Sequence, residues 1–355
     1  MAEAEDILGR FVKGQRISEK EVLILFQKGE LLLLGQIANQ VLRRFHNEDE
    51  ASYIIDRNIN YTNICSSRCK FCAFYREEED PEAYVLNKEE IFKKIEETIA
   101  LNGTQIMLQG GLHPDLNITY FTDLLSCIKN RYNVHIHSFS PPEILHIARV
   151  SSLSIRKTLK RLHDAGLDSL PGGGAEILVD HVRAKISPNK IRSDNWLDVM
   201  KEAHRMGMKT TATMMLGSIE AFEDRAAHLL KLRDVQDRTG GFRAFIPWTF
   251  QPNNTELGGR VTSSVDYLKT LAISRIFLDN FENIQGSWVT QGKEIGQITL
   301  CFGANDLGSI MIEENVVKAA GVSYKMSEDE MIKLIKACGK KAVKRNTKYE
   351  KLAVF

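Results

Sequence analysis

The chain has 355 residues, 43% of them hydrophobic and 26% charged, a balance that suits a globular fold and excludes a disordered tail or a disulfide-stapled mini-protein. Its 47 basic and 46 acidic residues leave a net charge of +1, so no global field recruits nucleic acid or an anionic membrane. Any partner must therefore be recognised locally.

The opening MAEAEDILGR lacks a basic segment followed by an apolar core, so no export signal is expected. The most apolar stretch, 22–41, is interrupted by Gln27, Lys28, Glu30, Gln36 and Asn39; membrane insertion is not expected and a cytoplasmic setting is. Ser18 and Glu21 form a capping box, and Ile17 can staple onto Val22, which starts a helix near Glu19. Gly29 breaks it, and a second helix over 30–45 completes an N-terminal helical extension, residues 1–50, that ends in the acidic HNEDE segment.

From residue 53 onward, short β-rich runs alternate with helical patterns, the signature of βα units around a parallel sheet. Strands are expected over 55–63, 104–109, 134–139, 167–170, 209–215, 243–250, 282–289 and 297–303, with helices over 88–101, 119–131, 193–206, 221–237 and 263–280 between most of them. Eight strands predict an α/β fold, a (β/α)8 TIM-type barrel over 51–325. Beyond it, 326–355 carries an amphipathic helix over 328–344, capped by Ser327 and ending in the basic Lys340, Lys341, Lys344 and Arg345 as a solvated turn.

Alternation adds a second expectation. If Val134 and Ile136 face the outer helices, His135, His137 and Phe139 face inward, with His137 near the carboxyl rim where barrel active sites lie. By the same reasoning Gln105, Met107 and Gln109 point in from the second strand, and Thr211, Thr213 and Met215 from the fifth. The mouth is therefore polar.

Of six cysteines, Cys65, Cys69 and Cys72 form a C-x3-C-x2-C loop within NYTNICSSRCKFCAFYR, directly after the first expected strand. Three soft thiolates suit zinc or an iron–sulfur cluster. Structural zinc sites use four ligands, and Cys127, Cys301 and Cys338 stand apart, expected as buried small hydrophobes.

This spacing, with the aromatic Phe71 before the third cysteine, resembles the signature of the radical S-adenosylmethionine (SAM) superfamily. The resemblance implies a 4Fe-4S cluster held by three cysteines, with an open iron chelated by the methionine amino and carboxylate groups of SAM. It further implies one-electron cleavage of SAM to a 5'-deoxyadenosyl radical that removes a substrate hydrogen, with the electron coming from a donor protein such as flavodoxin or ferredoxin. Gln109, Gly110 and Gly111, in QGGLHP, look like the superfamily's glycine-rich contact with the methionine moiety, where glycine admits close backbone approach and free N–H groups. Phe74, two residues past Cys72, stands where the superfamily supplies a backbone contact to adenine. The run PGGGAE, containing Gly173, Gly174 and Glu176, closes the fourth expected strand and opens a helix whose start can hold a ribose or carboxylate.

Longer stretches, among them QGGLHPD, HIHSFSPPEI, LDSLPGGGAEIL, FIPWTFQPNNT, NIQGSWVTQG and FGANDLGS, resemble the dehypoxanthine futalosine cyclases of menaquinone biosynthesis over about residues 50–325. That resemblance implies removal of the ribose C4' hydrogen of dehypoxanthine futalosine and addition of the carbon radical to the linked benzoate ring. His137 is then a candidate to bind substrate or take the ring proton. Thr213, Trp248, Gln251, Gln285, Trp288, Asn305 and Asp306, on later strands, are the candidate substrate residues. The rival readings are a sibling radical enzyme such as aminofutalosine synthase and, from another class, a non-enzymatic iron–sulfur or zinc protein. The acidic loop 77–80 reads as a solvated turn rather than a donor-docking site.

Overall fold

A computed structural model describes residues 2–355. Its strands are β1 (Glu50–Ile54), β2 (Asp56–Ile59), β3 (Gln105–Leu108), β4 (His135–Ile136), β5 (Thr210–Leu216), β6 (Phe242–Thr249), β7 (Asn283–Ile284), β8 (Asp306–Ser309), β9 (Lys341–Arg345) and β10 (Lys351–Val354). The first eight make a closed ring. β2, β3 and β4 pair in parallel, His137 bridges Ser169, Leu170 bridges Thr210, β5, β6 and β7 pair in parallel, and Gln285 bridges Asp306. β8 then pairs in parallel with β1, Ser52 opposite Asp306. Since β1 and β2 are two halves of one bent strand and 169–170 supplies the fourth, the result is the expected eightfold α/β barrel. Outward-facing aliphatic strand residues pack under the helices, as Ile106, Leu108 and Ile136 do in one cluster with Phe121, Leu124 and Ile128 of the helix Ile118–Arg131.

The N-terminal helices follow their local signals. Ser18 and Glu21 cap Glu19–Lys28 reciprocally, Glu30 caps Leu31–Leu42, and Ala2–Val12 adds a helix the pattern reading passed over. Ile7, Leu8 and Phe11 share a core with Val22, Leu25 and Phe26. Arg16 fastens this extension to the barrel by pairing with Asp237 at 2.7 Å and Asp279 at 2.6 Å. No helix among the described residues is long and apolar enough to cross a membrane.

Several expectations change. The first strand begins at Glu50, not residue 55. Residues 297–303 are not a strand: Lys293–Thr299 is helical, with burial at Gly296, Thr299 and Leu300, an i, i+3, i+4 spacing. The eighth strand is instead Asp306–Ser309, and Trp288 begins a short helix rather than ending the seventh strand. The C-terminal helix stops at Ala337 because Gly339 takes the left-handed conformation (φ +73°). The basic run beyond it is β9, which pairs in parallel with β1 and antiparallel with β10. Helices Pro141–Val150 and Ile155–Asp164 lie between the third and fourth strands. Cys301 is exposed and Cys127 and Cys338 are half-buried, so these three are not buried hydrophobes.

Candidate active site

A cavity of about 440 Å3 runs the length of the barrel. At its carboxyl end it is lined by Cys65, Cys69 and Cys72; at its amino end by Arg243, Arg345, Thr347 and Tyr349. The cysteine loop is tied down at several points. Cys65 N–H donates to Arg76 O (3.1 Å), Ser66 N–H to Leu112 O (3.1 Å), Lys70 N–H to Ile186 O (2.9 Å) and Cys72 N–H to Cys69 O (3.0 Å). Arg68, at φ +46°, makes the turn, and the Arg76 guanidinium donates to the carbonyls of Ala73 (3.2 Å) and Tyr75 (2.9 Å). The thiols are free, and burial pushes that of Cys69 up to about 11 and raises that of Cys72. Among the described residues no three His, Cys, Asp or Glu side chains are close enough to hold a single metal ion. The fit to a cluster rests on the donor set: three soft ligands on one cavity wall, suited to iron–sulfur chemistry. The acidic loop beside it is a surface turn, with Glu77 paired to Arg68 at 3.2 Å and Asp80 near Arg76 at 3.7 Å.

Gln109, Gly110 and Gly111 line the same wall, but the two glycines do not offer free donors. Gly110 N–H donates to Glu143 Oε1 (3.0 Å) and Gly111 N–H to Thr62 O (3.0 Å). Their role is space. A Cβ on Gly110 would lie 2.7 Å from the Tyr61 ring, and one on Gly111 would lie 2.1 Å from Ile64 O and 2.9 Å from Cys65 Cβ. Glu143, which sequence reasoning missed, organises this corner: its Oε1 also accepts from Tyr61 Oη (2.9 Å), and its Oε2 from Ser140 N–H (2.7 Å) and Ser140 Oγ (2.6 Å). Burial raises its carboxyl above the ordinary range, against the pull of these four bonds. The Ser140-Pro-Pro-Glu143 capping box was its only sequence signal.

Gly173, Gly174 and Glu176 also line the cavity. The run does not open a helix, which starts four residues later at Asp180. Its glycines answer to neighbours, since a Cβ on Gly172 would sit 2.7 Å from Ala212 Cα and one on Gly173 2.2 Å from Gln109 Nε2. Glu176, at φ +40°, pairs with Lys190 (3.1 Å) and lies 3.6 Å from Arg183, and its Oε2 accepts no hydrogen bond. Lys190 in turn sits 5.0 Å above the Phe71 ring. Desolvation pulls the Lys190 ammonium down, but the neighbouring Cys69 and Glu176 outweigh it and raise its pKa. Phe71 and Phe74 both border the cavity.

Gln105, Met107, Thr211, Thr213, His137, Trp248, Gln285 and Trp288 line the interior, while Met215 lies in the packed core. Thr213 Oγ1 donates to Gly172 O (2.7 Å), and Trp288 Nε1 to Ser309 O (3.0 Å). His137 Nδ1 lies 2.7 Å from Ser169 Oγ, which also meets His135 Nε2 at 2.8 Å. Burial pushes the His137 imidazole well below its usual pKa, with His135, Arg243 and Arg345 adding to the effect, so it is neutral at pH 7. The premise of an unperturbed base near operating pH does not hold.

Three candidates fall outside the cavity lining. Gln251 is buried and donates to Thr249 O and Thr290 O. Asn305 accepts from Arg275 Nη2 (2.7 Å) and Ile284 N–H (2.9 Å). Asp306 is engaged by Arg345, from the tail. Phe139 does not point inward either: at φ +61° it turns out and packs edge-on against Phe121, ring centres 5.0 Å apart.

Residues 59–232 match the radical SAM superfamily, and residues 239–354 match the CofH/MqnC C-terminal region. The chain is 49% identical, over 99% of its length and 95% of the relative's, to the cyclic dehypoxanthine futalosine synthase of Halalkalibacterium halodurans. Identity to the synthase of the same name from Streptomyces coelicolor is 46%, over 99% of this chain and 90% of that one. A 5-amino-6-(D-ribitylamino)uracil–L-tyrosine 4-hydroxyphenyl transferase from Methanococcoides burtonii is 39% identical, over 98% and 99%. In fold, the chain is similar to methylornithine synthase (TM-score 0.72, 17% identity, 95% of this chain and 96% of that one). It is also similar to the FeFe-hydrogenase maturase HydG of Carboxydothermus hydrogenoformans (TM-score 0.77, 15%, 98% and 81%). On sequence and fold together, the chain belongs to the radical SAM superfamily and is a radical SAM enzyme whose carboxyl-terminal part is of the CofH/MqnC type.

Proposed function

We propose that this enzyme converts dehypoxanthine futalosine to its cyclic product, within menaquinone biosynthesis. The observation that carries this reading is the end-to-end identity of 49% and 46% to two synthases of that name, above the 39% to the transferase. Cys65, Cys69 and Cys72 would hold a 4Fe-4S cluster, and Phe71, Phe74, Gln109, Gly173, Gly174 and Glu176 would border SAM. Gly110 contributes by making room for the Tyr61 ring and Gly111 by clearing space for the cysteine loop. A cluster and SAM bound there would together supply a 5'-deoxyadenosyl radical, with the electron coming from a donor such as flavodoxin or ferredoxin.

The chain's own residues then orient and enclose the substrate. Removal of the ribose C4' hydrogen leaves a carbon radical that adds to the benzoate ring. Loss of an electron to an iron–sulfur or flavin carrier and of a ring proton completes the spiro-cycle. Trp248 and Trp288 offer flat faces to the aryl group, Thr213 and Gln285 offer polar contacts, and neutral His137 can accept a hydrogen bond from the substrate. Enclosure within the barrel keeps water and stray hydrogen donors from the radical.

The test is anaerobic incubation of the reconstituted enzyme with SAM, dithionite and dehypoxanthine futalosine, followed by mass analysis. A product lighter by two hydrogens, formed with 5'-deoxyadenosine, is expected. Turnover of tyrosine with 5-amino-6-(D-ribitylamino)uracil, and none of dehypoxanthine futalosine, would transfer the chain to the other reaction.

A further inference from the structure

The cations that line the cavity differ in one respect. Arg345 is matched by Asp306, in a two-point contact of 2.5 and 2.8 Å, and Lys190 by Glu176. Arg243, the second residue of β6, has no carboxylate within ion-pair distance among the described residues, and its one side-chain hydrogen bond goes from Nη1 to Thr347 O (2.9 Å). It is half-buried and lines the amino end of the cavity with Arg345, Thr347 and Tyr349. Desolvation lowers its pKa, and the nearby Arg345 adds to that while Tyr349 and Glu350 oppose it. His135 and His137, the imidazoles nearby, are held neutral by burial. Asp56, on the same wall, is already hydrogen-bonded to Gln105, and burial raises its carboxyl. The floor therefore carries a desolvated guanidinium with open N–H groups and no counter-charge, a costly arrangement in an apo fold and a favourable one when an anion arrives.

We infer that Arg243 anchors the aryl carboxylate of the substrate at the floor of the barrel and so fixes which end of that substrate faces the cysteine loop. This rests on the proposed function, because dehypoxanthine futalosine carries one group ionised at neutral pH, its benzoate carboxylate. A guanidinium presents a planar fork that matches a carboxylate. The reach is right as well. From Arg243 to Trp248 along β6 is five residues, about 16 Å at roughly 3.3 Å per residue. A carboxylate on the floor thus places the aryl ring at mid-barrel and the ribose at the rim that bears the cysteines. The anchor residues Arg243, Arg345, Thr347 and Tyr349 all fall in the CofH/MqnC C-terminal region, residues 239–354. Specificity for the acid is thereby assigned to that part of the chain, and radical generation to the part before it.

The experiment compares kcat/KM for dehypoxanthine futalosine and for its carboxamide analogue in the reconstituted holoenzyme and in R243Q and R243K. Wild type is expected to prefer the acid by about 100-fold, as for a buried charge-assisted pair. In R243Q the preference should collapse to about 3-fold or less, chiefly through KM for the acid, and R243K, which keeps charge but not the fork, should fall between. Undiminished preference for the acid in R243Q overturns the anchor and leaves the cyclase reading standing. Wild-type turnover of neither compound contradicts the cyclase reading and the anchor with it. If R243Q does not fold, an unchanged preference in R243K is the overturning result.

Discussion

Arg345 forks onto Asp306, with Nε 2.5 Å from Oδ2 and Nη2 2.8 Å from Oδ1, and both side chains are buried. The same carboxylate accepts from Ser52 Oγ (2.5 Å) and Gly308 N–H (2.8 Å). It thus joins the first strand, the eighth strand and the C-terminal hairpin where the barrel closes. Asp306 is a structural pivot beneath the cavity, and Arg345 is not part of a solvated tail. D306N leaves a buried guanidinium without its counter-charge and is expected to cost about 3–5 kcal/mol. The D306N/R345M double variant should cost less than the two single changes summed. Urea unfolding measures this, and a D306N midpoint equal to the parent's would contradict it.

Gly111 sits under the cysteine loop, where an added Cβ meets Ile64 O at 2.1 Å. Backbone cannot yield as a side-chain tip does, and overpacking of this kind typically costs about 1–3 kcal/mol. G111A should therefore displace Cys65 rather than unfold the barrel. The expected outcome is iron loading well below the parent's after anaerobic reconstitution, with an unchanged far-UV circular dichroism spectrum.

Glu143 accepts four hydrogen bonds, two of them from backbone N–H groups at Gly110 and Ser140. E143Q turns a donor toward one of those pairs and leaves a buried N–H unmatched, a loss of about 1–3 kcal/mol. The melting temperature should fall and the cluster be lost faster to a chelator. A variant as stable and as well loaded as the parent would contradict the role given to Glu143.

Desolvated histidines give the fold a pH dependence. Desolvation lowers His135 and His204 to about 4 and His228 to about 3, and puts His137 well below its ordinary 6.5. The folded protein keeps them neutral while the unfolded chain takes up protons below about 6.5. Stability is therefore full above that pH and lost as the pH falls toward 4, by up to about 1.4 kcal/mol per pH unit for each group. Urea midpoints at pH 7.5, 6.5 and 5.5 should decline accordingly. His228 Nδ1 accepts Leu178 N–H (2.9 Å), a bond an asparagine can replace, so H228N should flatten the decline by about one proton.

Most of the barrel was legible because β5 and β6 are β-branched and aromatic runs and the helices carry caps such as Asn87 with Glu90. The eighth strand was not, because Asp-Leu-Gly-Ser has neither the length nor the composition of a strand and is placed by pairing with β1 and Gln285. β9 hid in a basic run whose Ala342, Val343 and Arg345 turn inward only once β1 is beside them. At the site, the cysteine loop is a local motif and was readable. Glu143 meets Gly110 and Tyr61 across 33 and 82 residues, and Arg243 meets Thr347 across 104. Such contacts leave no local pattern. The glycines show the limit of motif reading, since QGG marked the right wall while its N–H groups proved to be taken.

The most direct test of the account is incubation with dehypoxanthine futalosine deuterated at ribose C4', SAM and a reductant, under anaerobic conditions. Recovered 5'-deoxyadenosine should be one mass unit heavier, in step with cyclic product. Cyclic product accompanied by unlabelled 5'-deoxyadenosine would contradict hydrogen removal at that carbon.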